Sequence, residues 1–382
     1  MMQSLVSLDE KIVAMDVWHA ALPVNSRRDH GIGTVASTIE IVVVRLVGES
    51  GEVGFGEASP WSVFTGTPEA SFAALDRYFR PLVVGSALKD FESTMQLVQK
   101  IVVHCTEAKA ALEAAWLDLA GKRLGKPVWS FLGDQHRNRI PLSCSLANPD
   151  FDQDKALATR LVDDGVRFVK IKTGFKNHGF DMMRLETLKN DYPSLTVRVD
   201  YNQGLAVDDA IKQVPELDQL EPDFIEQPVA SHEYDAMTKL RALTQRPLFA
   251  DESVFGPEDM QRAISEKIAD GVSIKIMKSG GMVRAKKVSE MAADAQWLAY
   301  GGDMFETGLA HLAGVHMIAA SPAITLGCEF YQAKYYLCKD LLSHNFLIDN
   351  GDVVVPDAPG LGCDINMEYL SSVALAHSVG QD

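Results

Sequence analysis

Three carboxylates recur at an almost constant interval in the middle of this 382-residue chain: Asp200 in VRVDYN, Glu226 in FIEQP and Asp251 in FADES, 26 and then 25 residues apart. Each lies near the end of a β-rich run, so the interval is one strand–helix unit. Side chains at equivalent points of successive parallel strands converge at the carboxyl-terminal mouth of a barrel. Converging carboxylates repel strongly unless a cation lies among them. Oxygen-only ligation selects a hard divalent ion, so the pattern predicts a site for Mg2+ or Mn2+ with positions left for water and substrate. A single acid at a strand end is more simply explained by a neutralising lysine or a helix cap; three in phase favour the metal. Glu252 and Asn202 are offset from that phase and read as supporting groups.

Two lysines keep the same interval. Lys172 precedes Asp200 by 28 residues and Lys275 follows Asp251 by 24, which places them on the second and sixth strands, facing each other with the acids between. Lys170 is two residues before Lys172 and so points to the same face; it is expected to hold charge for the substrate or for Lys172. A lysine crowded by a divalent ion and other lysines has its pKa lowered toward neutrality, as a general base requires. The chemistry this suits is removal of the α-proton of a metal-bound carboxylate, with the metal and a lysine stabilising the enediolate that forms. The plainer alternative is that the lysines only neutralise the acids.

The elements that would position these residues alternate. From Ile140 the runs IPLSCSL, RFVKIKT, LTVRVDY, DFIEQP, PLFADES, GVSIKIM, WLAYGG and AITLGCE are separated by seven helix-period segments, among them FDQDKALATRLVDDG and MVRAKKVSEMAADA. Regular alternation implies parallel strands, and eight such runs imply a closed α/β barrel, with an open doubly wound sheet as the alternative. Before it, KIVAMDVWHAALPV, STIEIVVVRLV and ESGEVGFGEA read as a three-stranded meander, followed by helices near Glu69–Tyr78 and Phe91–His104. TEAKAALEAAWLDLAGKRLG reads as a helix capped by Thr106 and ended by Gly125. After Phe330 the chain reads as a helix, YQAKYYLCKDLL, and a strand, GDVVVPDAPGLG, folding back onto the first domain, with the end loose from about Ser378. The expected organisation is an α+β domain over residues 1–135, a barrel over 136–331 and a returning segment over 332–382.

Composition narrows the function. The formal net charge of −16 disfavours nucleic acid and anionic membranes as partners. Five widely spaced cysteines without a C-x-x-C pair support neither a disulfide framework nor a zinc site, and fit a reducing cytoplasm. The N-terminus lacks the basic and apolar regions of a signal peptide. The strongest apolar run, Ile39–Val47, is interrupted by charges and far shorter than the ~20 residues a membrane helix needs. Gly31-Ile32-Gly33-Thr34-Val35-Ala36 matches the dinucleotide pattern G-x-G-x-x-A, but it precedes a strand instead of following one, so nucleotide binding is rejected.

VKIKTG, VRVDYNQG, FIEQP, ADES, IKIMKSGG and YGGDMFETG, in this order and spacing, resemble the enolase superfamily, and within it the muconate lactonising enzyme (muconate cycloisomerase) branch. The resemblance extends over nearly the whole chain, including SRRDHGIGTVAS, GEVGFGEASP and the late PGLG. Lysine bases beside bound Mg2+ are a general pattern of that superfamily. The resemblance implies a (β/α)7β TIM-like barrel under an N-terminal α+β capping domain completed by the C-terminal tail. It implies Asp200, Glu226 and Asp251 as ligands of Mg2+ or Mn2+, Lys172 as the residue exchanging the α-proton, Lys275 as the opposite lysine, and Glu329 as the glutamate ending the eighth strand. The plainer reading of Glu329 is a salt bridge to Lys275.

Capping loops around His30–Thr34 and Ala58–Phe64 would close over the substrate, with His30, Ile32, Trp61 and the barrel residue Phe305 as its contacts. FYQAKYY stands where a small apolar pattern is usual and MFET where M-L-E-G is typical, departures that bear on the substrate and not on the metal. No histidine lies near the end of strand seven, as a mandelate-racemase-like site needs, and strand eight lacks the aspartate pair of dipeptide epimerases. The expected protein is a homo-oligomeric enzyme acting on a small carboxylate. Cycloisomerisation leads, racemisation, epimerisation or dehydration on the same site is the alternative, and a non-catalytic ligand-binding barrel is the remaining one.

Overall fold

The structure, a computed structural model, describes residue 5 and residues 8–380. Most of the first seven residues, where a signal peptide was sought, and residues 381–382 of the tail lie outside the described residues. The capping domain begins with β1 (Ile12–Pro23), then a small hairpin of β2 (Arg28–His30) and β3 (Gly33–Val35), then β4 (Thr38–Gly48) and β5 (Val53–Ala58). β1, β4 and β5 form the expected antiparallel meander, with Trp18 opposite Val43 and Val44 opposite Gly56.

The helix Thr106–Leu124 packs on this sheet and is buried from Glu107 to Gly121. Glycines let it seat: a Cβ at Gly56 would lie 1.9 Å from the Ala111 carbonyl oxygen and one at Gly54 2.1 Å from that of Ala115. Gly125 ends the helix in the left-handed region, as expected. Thr106 does not cap it; the chain enters through His104 and Cys105, both at positive φ, and this places Thr106 inside the first turn.

After a short strand, β6 (Arg139–Pro141), the barrel sheet runs β7 (Ser143–Leu146), β8 (Phe168–Lys172), β9 (Thr196–Asp200), β10 (Ile225–Glu226), β11 (Leu248–Ala250), β12 (Gly271–Ile274) and β13 (Leu298–Gly301), parallel and paired in sequence order. The eighth run forms no strand of its own. Cys328 closes the ring: its amide donates to Pro141 O at 2.9 Å and its carbonyl accepts from Ser143 N at 2.7 Å. On the other side Glu329 N donates to Gly301 O at 2.9 Å. The open-sheet alternative is thereby removed.

The tail differs from its reading in two places. YQAKYYLCKDLL contains only one helical turn, Gln332–Tyr335, because Tyr336 to Cys338 are drawn into backbone bonds with Pro23 and Asn25 at the end of β1. Beyond a hairpin that pairs with Arg139–Pro141 and a short helix, Met367–Val373, the segment Ala374–Ser378 adds a fourth strand to the cap sheet beside β1. Ser378 is therefore held, not loose: its hydroxyl accepts from Arg80 and donates to Asp76. No helix among the described residues is long and apolar enough to cross a membrane.

Two buried glutamates fasten the cap to the barrel. Glu57 of β5 accepts from the amide of Thr307 at 2.9 Å and from its hydroxyl, at the N-cap of the helix Gly308–Ala319. Glu113 of the long cap helix accepts from Val283 N at 3.0 Å, at the start of the helix Met282–Asp294. Gly281, at φ +128, must be glycine there, since a Cβ would meet the Glu113 carboxyl at 2.5 Å.

Burial pushes both carboxyls up to about 7, against the backbone donors that favour the charge. An acid whose pKa is raised on folding stabilises the fold through its proton below the unfolded value of about 4.3, and that contribution is lost as pH rises toward 7. Denaturant midpoints are therefore expected to fall from pH 4.5 to 7, and Glu113→Gln, which keeps an acceptor but cannot ionise, should flatten this slope. An unchanged slope would remove Glu113 from the account.

Candidate active site

The register of the barrel sets the site. Lys172 pairs with Asp200 and Asp200 with Glu226, so these three stand level on β8, β9 and β10. Asp251 lies two residues beyond Phe249, the partner of Glu226, on the same face but further toward the mouth. Equal sequence spacing thus gives a staggered arc, as the tilt of barrel strands requires. One carboxylate oxygen from each of Asp200, Glu226 and Asp251 lies within 4.8 Å of the others, and all three side chains are buried.

Four ammonium groups border the acids. Lys172 donates to Asp200 at 2.6 Å and Lys275 to Asp251 at 2.7 Å, from opposite sides of the arc. Lys170 is fully buried and spans Glu226 at 2.8 Å, Glu329 at 2.7 Å and Asp200 at 3.2 Å. It does not line the pocket, and its ammonium is bonded to these three carboxylates. Glu329 is the partner of Lys170 and of Ser145, whose hydroxyl donates at 2.6 Å, and not of Lys275.

The fourth, Lys278, was missed in the sequence. It sits on the turn Ile276–Ser279 after β12 and donates to the Asp251 carboxylate at 2.6 Å and to its carbonyl at 2.7 Å. A lysine one turn into a helix carries no period-2 signal pointing inward. Asn202, at φ +42, donates its backbone N–H to Asp200 at 2.8 Å and its side chain to Glu252 at 3.2 Å. Both offset residues thus buttress the arc.

The electrostatics favour a cation. Burial alone would raise Asp200, but Lys172 and Lys170 hold it below the ordinary carboxylate range. Glu226 is pushed up to about 7 by burial, with Asp200 adding to the push. Its Oε1 is buried with no hydrogen-bond partner among the described residues, as is Oε2 of Glu252. An oxygen-only donor set with an orphaned ligand atom fits a hard divalent ion. Lys275 shows the reverse of the lowering expected from the sequence: burial would lower it, but Asp251 outweighs burial and raises it. That lowering requires a cation to take over the carboxylate.

Above the acids is a small pocket. Its roof is an edge-to-face cluster of His30 and Trp61 from the cap and Phe305 from the barrel, with ring centroids 5.1–5.4 Å apart. Phe64 covers Lys275, whose Nζ lies 4.7 Å from the ring centroid. His30, Trp61 and Phe305 line the pocket as expected. Ile32 does not; it occupies the turn of the β2–β3 hairpin. Of the glycines of the rejected dinucleotide pattern, Gly31 shares that turn and Gly33 begins β3, and a Cβ at Gly31 would lie 2.2 Å from Tyr201 O of the barrel. Close backbone approach, not phosphate binding, explains Gly31. The remaining wall, including Ser145, Asp303, Tyr331 and Gln332, was not named from sequence, although the unusual stretches MFET and FYQAKYY lie beside it.

Comparison with known proteins agrees with this architecture. Residues 10–133 match the family model described as Mandelate racemase / muconate lactonizing enzyme, N-terminal domain, and residues 153–369 match Enolase C-terminal domain-like. The chain belongs to the mandelate racemase/muconate lactonizing enzyme family of the enolase superfamily. It is 30% identical over 346 residues to muconate cycloisomerase 1 of Acinetobacter baylyi, covering 89% of this chain and 93% of that one. It is equally 30% identical over 356 residues to L-Ala-D/L-Glu epimerase of Clostridium acetobutylicum, covering 91% and 97%. The crystal structure of a muconate cycloisomerase from Azorhizobium caulinodans superposes with a TM-score of 0.83 at 38% identity, covering 97% of this chain and 99% of that one.

Proposed function

We propose that this enzyme transfers the α-proton of a small carboxylate substrate, with Lys172 as the base and Lys275 as its opposite. The observation that carries the reading is that each lysine is bonded to a different acid of the triad from opposite sides of the arc. A divalent cation held by Asp200, Glu226 and Asp251 supplies charge stabilisation for a carboxylate that becomes more basic as its α-proton leaves. Lys172 enters as the neutral amine and takes the proton on Nζ, while the C–H electron pair moves into the carboxylate. Return of a proton to the same carbon, from Lys172 or from the ammonium of Lys275, completes exchange or inversion. Lys170 and Glu329 hold the floor neutral, and the His30–Trp61–Phe305 roof keeps water from the carbanionic carbon.

The relatives support two outcomes of this step, lactone formation or opening as in the muconate cycloisomerases and inversion as in the epimerases. Incubating the Mg2+-loaded protein in D2O with muconates, lactones, amino-acid derivatives and hydroxy acids should give α-deuterium, detected by NMR. Net conversion to a lactone isomer would favour cycloisomerisation, and loss of optical rotation would favour inversion. Inertness toward every carboxylate would sink the reading.

A further inference from the structure

We propose that the substrate carries a cationic nitrogen at or next to its α-carbon and that Asp303 receives it. The proposal rests on the α-proton-transfer reading and narrows it to amine-bearing carboxylates. Asp303 follows β13, the strand beside the one that leads to Lys275, and lines the pocket. Its Oδ2 is buried and has no hydrogen-bond partner among the described residues. A buried carboxylate oxygen without a donor is costly unless a ligand supplies one.

The neighbouring acceptors are already occupied. Ser145 donates to Glu329 at 2.6 Å. The Gln332 amide donates to Met304 O at 2.6 Å and accepts from Glu306 N. Tyr331 accepts from the buried Arg28 guanidinium at 2.7 Å, which leaves its own hydroxyl hydrogen free. Asp303 is thus the charged residue that lines the pocket from the side of β13 and the closing segment, while Lys172 and Lys275 line it from the side of the metal arc.

A dicarboxylate such as muconate, with one carboxylate at the acids, would bring the second toward Asp303 with a hydroxyl as its new donor. An ammonium instead meets an unpaired carboxylate and an aromatic roof, both of which favour a cation. Burial raises Asp303 well above the ordinary range, with Glu329 and Glu306 adding to it, and this outweighs the pull of Lys172 and Lys275, neither of which donates a hydrogen bond to Asp303 among the described residues. The chemistry agrees, since a positive nitrogen on the α-carbon makes its C–H bond more acidic.

The test uses the Mg2+-loaded full chain in D2O with alanine, valine and proline, their N-methylated forms, their N-acetyl counterparts and cis,cis-muconate. The N-acetyl compounds keep the carboxylate and lose the charge. α-Deuterium is expected in the cationic set, about tenfold to a hundredfold faster than in the neutral set. Asp303→Asn should reduce kcat/KM for the cationic set by a similar factor and erase the preference, with Asp303→Glu restoring part of it and Mn2+ binding unchanged in both. Exchange confined to N-acetyl compounds or muconate, or a preference that survives Asp303→Asn, overturns the proposal and leaves α-proton transfer standing. Absence of exchange in every compound overturns α-proton transfer itself.

Discussion

Lys172→Ala is expected to slow α-deuterium exchange by roughly 10³-fold, within the range that a positioned general base contributes, while the protein stays folded and still binds Mn2+. The two expectations separate because Asp200 does not depend on Lys172 alone. Lys170 remains 3.2 Å from the same Asp200 oxygen, so the mutation does not strand a buried carboxylate without a cation. It removes an ammonium that competes with a divalent ion for Asp200, and Mn2+ affinity by calorimetry should therefore hold or rise. Lys172→Arg should be as inactive as alanine, because a guanidinium keeps its charge and cannot accept the proton. Unchanged exchange in Lys172→Ala would move the base elsewhere, with Lys275 the next candidate.

What could be read in advance follows from how each residue enters the site. Asp200, Glu226 and Lys172 lie on strands that repeat once per strand–helix unit, so linear spacing translates directly into a shared face. Asp251 keeps the interval yet sits two residues further along, because strand stagger is a property of the closed barrel and leaves no mark in sequence. The eighth run closes the barrel as expected but over a shorter length, for a related reason: AITLGCE has strand composition throughout, yet closing the ring uses only the backbone of Cys328 and its immediate neighbours.

Lys278, Asp303, Glu57 and Glu113 were illegible for another reason. Each is a lone charged residue, for which solvent exposure is the ordinary expectation, and only the tertiary fold buries Lys278, Glu57 and Glu113 and turns Asp303 into the pocket. The strand Ala374–Ser378 was likewise hidden, since a short run near a chain end carries little pattern until β1 offers it an edge.

Asp251→Ala is expected to cost about 3–5 kcal/mol of stability, the range for a buried ion pair broken on one side, and also to abolish divalent binding. Asp251 accepts from Lys275 through one oxygen and from Lys278 through the other, so its removal strands two buried ammonium groups together. The structural and metal roles can be divided by a second change. Lys278→Met placed on Asp251→Asn removes one stranded charge and leaves an amide oxygen for Lys275, so thermal stability should partly recover.

Metal binding should not recover, since an amide does not replace the ligand charge. In the wild type, Mg2+ should raise the thermal midpoint, because an ion that binds the folded state alone stabilises it by mass action. The double variant should show no such rise even when it melts near the wild-type apo temperature. A Mg2+-dependent rise that survived in Asp251→Asn would mean that Asp200 and Glu226 suffice, and Asp251 would then serve chiefly to hold the two lysines.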